Sequence, residues 1–176
     1  MVEANVEALA LPELTTFSLA SRQSEEMRRR AEQELGLALP EPGRTTVAAE
    51  LRAVCVTPDR WLMLREGTSQ SLGALLADAL GDAASLIDLS GTHVGVRVRG
   101  AGARAALAKF LPLDLHPRAM KPGHVAATLA AHMPVLLWQV DDAPTYDLLC
   151  TRSLAESFHR ALNLASVNPD AGPRVR

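Results

Sequence analysis

The stretch from Val94 to Leu111 constrains the fold more tightly than any other part of the chain. Val94, Val96 and Val98 alternate with Gly95, Arg97 and Arg99. That period of two places three β-branched side chains on one face of a half-buried strand. Gly100 and Gly102 interrupt it, and from Ala103 the period lengthens. Ala103, Ala106, Leu107, Phe110 and Leu111 recur at steps of three and four, while Arg104 and Lys109 fall outside that stripe. The chain therefore passes from strand to helix across a tight glycine turn. The helix is expected to end at Pro112, which has no N–H to continue it, and Leu113 to Arg118 runs on irregularly.

The same reading orders the rest of the chain. Residues 1–13 show no pattern beyond Leu9 and Leu11, which predicts a loosely held N-terminal arm. Leu14 to Leu19 reads as a strand. A helix follows to Leu35, capped by Ser21 or Ser24, with Met27, Ala31 and Leu35 inward and Gly36 past its end. Leu39 to Gly43 holds two prolines and a glycine and is a loop. Arg52–Val56 and Arg60–Arg65 form a hairpin around Thr57-Pro-Asp59, with Trp61 and Met63 on one face and Leu62 and Leu64 on the other. Thr68 caps a helix whose Leu72, Leu75, Leu76 and Ala79 form an apolar side before Gly81, and Ser85–Leu89 is the next strand. Beyond the central stretch, Val125–Ala130, Val135–Val140 and Thr145–Cys150 read as strands, with Pro134 at a boundary and Asp141-Asp-Ala-Pro144 as a turn. Ser153 and Glu156 stand at capping-box spacing before a closing helix that puts Leu154, Phe158, Ala161, Leu162 and Ala165 on one face. Ser166–Arg176 is expected to be a disordered tail. Residues 14–89 and 93–165 share a split strand-helix-strand logic. The expectation is one α+β domain, residues 14–165, built as two ferredoxin-like pseudo-repeats: antiparallel sheets with helices packed on one face.

At 176 residues and 48% hydrophobic content the chain can bury a core, and a formal charge of −2 argues against a general nucleic-acid binder. No apolar run approaches the roughly 20 residues of a membrane helix, and the N-terminus lacks the pattern of a signal peptide, so no membrane association and a cytoplasmic location are expected. Cys55 and Cys150 sit among apolar neighbours in strands and read as buried free thiols. Three Phe, two Trp and one Tyr leave few aromatic plates on which to stack a flavin.

Several patterns admit two readings. Arg28-Arg-Arg30 is an anion site or a solvated face; the interleaved pairs Glu25–Arg29, Glu26–Arg30 and Arg28–Glu32, each four apart, favour the face. Gly100-Ala-Gly-Ala-Arg-Ala105 fits the loose dinucleotide pattern, but the next acid, Asp114, comes after the helix and not at the end of a second parallel strand, which favours a plain tight turn. The five histidines never stand four apart and have no cysteine nearby, so no metal site is expected. Asp114 and His116 are a base with its orienting acid, or else Asp114 caps local amides and pairs with Arg118. Arg97, Arg99, Arg104, Lys109, Arg118 and Lys121 face the single acid Asp114 between positions 97 and 121, as a solvated surface or as a docking face for an acidic partner or a polyanion.

The phrases Pro112-Leu-Asp-Leu-His-Pro-Arg118 and Lys121-Pro-Gly123 after the Gly-x-x-Ala-Arg helix, with Leu37-Ala-Leu-Pro-Glu-Pro-Gly43, Pro58-Asp-Arg-Trp-Leu62 and Val135-Leu-Leu-Trp138, carry a resemblance over Leu14 to Ala165. The chain resembles the gamma subunit of heterotetrameric sarcosine oxidase and is more distantly similar to the folate-binding aminomethyltransferase domain. The resemblance implies an aminomethyltransferase-like fold. It also implies a non-catalytic subunit, with no catalytic, cofactor or metal residues of its own, beside alpha, beta and delta partners that hold FAD, FMN, NAD and tetrahydrofolate. That assembly oxidatively demethylates sarcosine to glycine, passing the one-carbon unit to tetrahydrofolate or releasing formaldehyde. Arg104, Asp114, His116, Arg118 and Lys121 are the candidate subunit-interface residues. The aminomethyltransferases carry an acidic, glycine-rich phrase in the hairpin after the position of Lys121-Pro-Gly123; here the stretch reads Ala131-His-Met-Pro-Val135. The cysteine motif of related iron-sulfur assembly proteins is absent too. The alternative is a stand-alone folate-binding or one-carbon transfer protein.

Overall fold

A computed structural model describes residues 7–10, 14–20, 22–66 and 71–167. The first elements are β1 (Glu7–Ala10), β2 (Leu14–Ala20), α1 (Ser24–Leu35), β3 (Thr45–Ala48), β4 (Leu51–Thr57), β5 (Arg60–Glu66), α2 (Ser71–Leu80) and β6 (Ser85–Asp88). After them come β7 (His93–Arg99), α3 (Ala103–Leu107), β8 (Val125–Ala130), β9 (Met133–Asp141), β10 (Thr145–Thr151) and α4 (Ala155–Val167). The chain divides into two units, residues 12–93 and residues 94–176 joined by residues 1–11.

In the 12–93 unit five strands lie in the order β3-β4-β5-β2-β6, antiparallel throughout. Leu19, Ala53, Cys55, Trp61 and Met63 from the sheet pack with Met27 and Ala31 of α1 and Leu72, Leu76 and Leu80 of α2. The buried line of α2 steps by four, 72-76-80, so Leu80 takes the place expected for Leu75, which is exposed. Val54, Leu62 and Leu64 on the other face of β4 and β5 are buried as well. Gly73 lies where α2 crosses Phe17: a Cβ there would stand 2.8 Å from the ring. The helix α1 starts at Ser24 itself, with Gln23 at the cap and no capping side chain, so Ser24 is helical and caps nothing. Ser21 and Thr68, the other expected caps, lie outside the described residues. Gly36 closes α1 in the left-handed region, its N–H returning to the carbonyl of Ala31.

The second unit orders its strands β1-β7-β10-β9-β8. Glu7–Ala10, expected in a loose arm, is a strand antiparallel to β7, with Glu7 opposite Arg99. Val96 and Val98 of β7, Ala103 and Leu107 of α3, Val135 and Leu137 of β9, Tyr146, Leu148 and Cys150 of β10, and Phe158 and Leu162 of α4 build one core. Two helical expectations change. The helix α3 stops at Leu107 and its last residues become turns, with the Phe110 carbonyl drawn to the N–H of Ala131 in the β8–β9 hairpin. A short 3₁₀ turn, Arg152–Leu154, precedes α4, so Ser153 is not its cap and Glu156 bonds Arg160 instead. The helix α4 runs on to Val167, two residues into the expected tail; the remainder of the tail lies outside the described residues. Both cysteines are free and buried.

The β8–β9 hairpin turns on two residues, Ala131 and His132, framed by the Ala130–Met133 pair. Their φ angles, +46° and +69°, put both in the left-handed region. That matches the turn type best served by Asn-Gly, and a side chain with a Cβ is strained there. The double substitution Ala131→Asn, His132→Gly should stabilise the protein by about 1 kcal/mol in urea titrations. A loss of stability would mean that the native side chains make contacts worth more than the strain.

Candidate functional site

The sequence candidates gather around the segment 112–124, which is held from beneath. Leu111, Leu115 and Met120 are buried in the core of the second unit, and Asp114, His116, Pro117, Arg118, Ala119, Lys121 and Pro122 are exposed between and beside them. Backbone bonds brace the loop: the His116 carbonyl accepts from Ala119 N at 2.8 Å and Met120 N at 2.9 Å, and that of Lys121 from His124 N at 2.9 Å. Its end is clipped to β9, where Gly123 N donates to Gln139 O at 2.9 Å and Gln139 N to His124 O at 3.1 Å.

Asp114 and His116 are part of that bracing. Asp114 Oδ1 accepts from the His116 backbone N–H at 2.8 Å, and His116 Nδ1 accepts from the Arg118 backbone N–H at 3.1 Å. Each side chain is spent on an amide two residues on. This is the local-capping reading, with the carboxylate turned to the backbone and not to the imidazole as an orienting acid would be. The expected Asp114–Arg118 ion pair does not form among the described residues; it is the Arg118 backbone that is held.

The run of six basic residues is not one patch. Arg97 makes a bidentate pair with Asp147, Nε–Oδ1 2.7 Å and Nη2–Oδ2 2.9 Å. Arg99 pairs with Glu7 across β1 and β7 at 2.7 Å. Arg104 is only partly exposed and its Nε is buried, so α3 turns it inward and away from the surface expected for it. Arg118 and Lys121 remain exposed on the braced loop with His116.

The Arg97–Asp147 pair is the site that sequence reading missed. Asp147 is 2% exposed, in a strand buried at every position from Thr145 to Cys150. The signal was present: a lone carboxylate inside an apolar strand requires a cation, and β7 offers Arg97 on alternate positions with its valines.

The other candidates resolve structurally. The three arginines of α1 are all engaged: Arg28 bonds the carbonyl of Leu39 at 2.5 Å, pairs with Glu41 at 3.2 Å and lies 5.0 Å over the Trp61 ring, whose Nε1 holds Pro40 O at 2.9 Å. Arg29 and Arg30 both grip Glu26, at 2.6 and 2.7 Å, and Arg30 also reaches Asp82 at 2.9 Å and the Leu80 carbonyl. Of the pairs expected four apart, Glu26–Arg30 forms; Arg29 takes Glu26 in place of Glu25, and Arg28 takes Glu41 in place of Glu32. The glycine turn leads into a helix of five residues, and the next strand, β8, lies at the far edge of the sheet from β7, unlike a dinucleotide fold. Among the described residues no group of three His, Cys, Asp or Glu could hold a metal, and no helix is long and apolar enough to cross a membrane.

These two α+β units, each a five-stranded sheet with helices on it, define a protein of the aminomethyltransferase-like fold. The structure is similar to glycine cleavage system aminomethyltransferase T from Bartonella henselae, with a TM-score of 0.67 at 13% identity over 91% of this chain and 46% of that one. It is similar also to a chain of the heterotetrameric sarcosine oxidase from Corynebacterium sp. U-96, with a TM-score of 0.86 at 24% identity over 99% of this chain and 90% of that one. The chain belongs to the sarcosine oxidase, gamma subunit family, whose profile matches residues 25–168. Sarcosine oxidase subunit gamma of an Arthrobacter species is 37% identical over 116 residues, 65% of this chain and 57% of that relative's length.

Two stability tests follow from the ion pairs. Arg97→Leu leaves Asp147 buried without its bidentate partner and should cost about 3 kcal/mol in urea titrations. The double variant Arg97→Leu, Asp147→Leu should recover part of that loss; a double variant as unstable as the sum of the singles would contradict the pairing. Hydrogen bonds from Arg29 and Arg30 hold the Glu26 carboxyl down to about 2, against an ordinary 4.5. Its folded pKa lies below its unfolded one, so its contribution is present above pH 4.5 and is lost as pH falls toward 2. Glu26→Gln should be less stable than wild type at neutral pH, with the gap closing over that acid range. A gap that does not depend on pH would refute the assignment.

Proposed function

We propose that this chain is the non-catalytic gamma subunit of a cytoplasmic heterotetrameric sarcosine oxidase. In this reading the assembly oxidatively demethylates sarcosine to glycine, with the one-carbon unit passed to tetrahydrofolate or released as formaldehyde. FAD, FMN, NAD and tetrahydrofolate are held by the alpha, beta and delta partners, and this chain supplies a rigid shape for them to assemble on. The observation that carries the proposal is the family match across residues 25–168. Asp114 and His116 support a bracing role, because Asp114 Oδ1 and His116 Nδ1 each accept a backbone N–H of the loop and the carboxylate does not orient the imidazole.

The docking element is the braced loop, with His116, Arg118 and Lys121 outward and Asp114 fixing its entry. Leu115 and Met120 fix the backbone before any partner arrives, so little ordering entropy remains to be lost on binding. Two exposed cations on such a loop suit an acidic patch on a partner subunit, where charge complementarity sets encounter rate and register.

Co-expression with the flavin-bearing subunits tests the proposal. The tagged chain should bring them down in a stable complex that oxidises sarcosine, while the chain alone should turn over none. Arg118→Glu with Lys121→Glu should weaken assembly by about tenfold or more and leave the circular dichroism of the chain unchanged. Failure of the unaltered chain to associate would remove the proposal; normal assembly by the charge-reversed chain would move the interface to another surface.

A further inference from the structure

Four strands edge the two sheets: β1, β3, β6 and β8. The first three are four residues long, whereas β8 has six, Val125-Ala-Ala-Thr-Leu-Ala130. None of those six is charged and none is Pro or Gly, and the register with β9 runs unbroken from Val125–Trp138 to Ala130–Met133. Shortness, charge, proline and a bulge are the usual means of keeping an edge from pairing with another chain. The strand β8 uses none of them.

Its backbone is set for such pairing. Bonded and non-bonded pairs alternate along an antiparallel ladder. Gln139 N donates to His124 O at 3.1 Å, so the pairs in step with that one, Ala126–Leu137, Thr128–Val135 and Ala130–Met133, are the bonded ones. Pro134, which has no N–H to give, stands opposite Leu129 in a non-bonded pair. The N–H and C=O groups of Val125, Ala127 and Leu129 therefore point off the sheet, where no further strand follows among the described residues. Ala127 and Leu129 are exposed.

The surroundings select the occupant. Between Asp114 and Asp141 the chain carries no acid, but it carries Arg118, Lys121, His116, His124 and His132. Arg118 and Lys121 are exposed on the loop that runs directly into β8. A neutral edge with cations at one end matches an extended segment that bears Asp or Glu beside those cations. Membership of a gamma-subunit family points to a segment of a different polypeptide and not to a second copy.

We propose that β8 is a strand-addition site, at which an extended segment of a partner subunit, acidic at one end, becomes the sixth strand of this five-stranded sheet. Backbone hydrogen bonds to Val125, Ala127 and Leu129 hold the segment, and Arg118 and Lys121 set its position along the edge. The site rests on the gamma-subunit reading and extends the docking surface from the loop onto the strand that follows it.

Proline substitution tests it on the full chain. Ala127→Pro and Leu129→Pro each delete one outward N–H and leave the bonds to β9 in place, because proline is tolerated on an edge strand where its nitrogen faces solvent. Ala127→Val adds comparable bulk and keeps the N–H. In co-expression with the flavin-bearing subunits, both proline variants should lower the recovered complex about tenfold or more, while Ala127→Val assembles like the unaltered chain. The circular dichroism and melting temperature of the isolated variants should match those of the unaltered chain. Full recovery by both proline variants would overturn the site, and so would an equal loss in Ala127→Val, which would mark a side-chain contact without strand pairing. An isolated chain that dimerises, and becomes monomeric with Ala127→Pro, would give the edge to a second copy and overturn it as well. Failure of the unaltered chain to recover the other subunits would remove the gamma-subunit reading itself, and this site with it.

Discussion

The strand β10 is the middle strand of its sheet and is buried from Thr145 to Cys150, so both of its faces must be satisfied away from water. On one face Tyr146, Leu148 and Cys150 supply the apolar core under α3 and α4. On the other, Asp147 stands opposite Trp138, and its charge is tolerable only because Arg97 reaches it from β7. A buried carboxylate without a cation costs several kcal/mol. One acid in an apolar strand thus selects its neighbour, fixing β7 beside β10 in a register that the hydrophobic pattern alone leaves open. The helix-facing side has the matching problem with a neutral group: Tyr146 buries a hydroxyl beside Gln139 and Arg104.

The exposed loop inherits its rigidity from that core. Leu111, Leu115 and Met120 descend into the same cluster as Tyr146 and Leu148. The far end is bonded to Gln139, on the strand that pairs with β10. Between the anchors the chain has no regular secondary structure, yet the amides of His116, Arg118, Ala119 and Met120 are held by the His116 carbonyl and by the side chains of Asp114 and His116. A segment built this way presents His116, Arg118 and Lys121 in fixed positions.

Much of this architecture was legible in the residues. Alternation of Val94, Val96 and Val98 marked β7, and β8 begins and ends where its apolar run does. What escaped was non-local or marginal. Glu7–Ala10 and Thr45–Ala48 are four-residue edge strands, too short to show a period; Thr45-Thr-Val47 was a β-branched signal masked by the prolines before it. The helix α3 read too long because its bonds slip to i→i−3 after Ala108, Lys109 N reaching Ala106 O and Phe110 N reaching Leu107 O, so the apolar spacing runs on past the regular helix. In the loop, His116, Arg118 and Lys121 are polar residues beside prolines, and the structure exposes all three. Arg104 looked equally exposed by helical spacing, but tertiary packing buries its Nε. The Arg97–Asp147 pair spans fifty residues and follows from burial, which no local pattern reports.

In the proposed function this chain is a rigid docking piece that meets its partners through the loop after α3. Amide hydrogen exchange of the full chain, free and within the assembled oxidase, measures this directly. The account predicts slow exchange at the braced amides of Met120 and Gly123 in the free chain, with added protection on assembly concentrated in residues 114–122. Rapid exchange across the whole loop in the free chain, or protection on assembly confined to other surfaces, would contradict it.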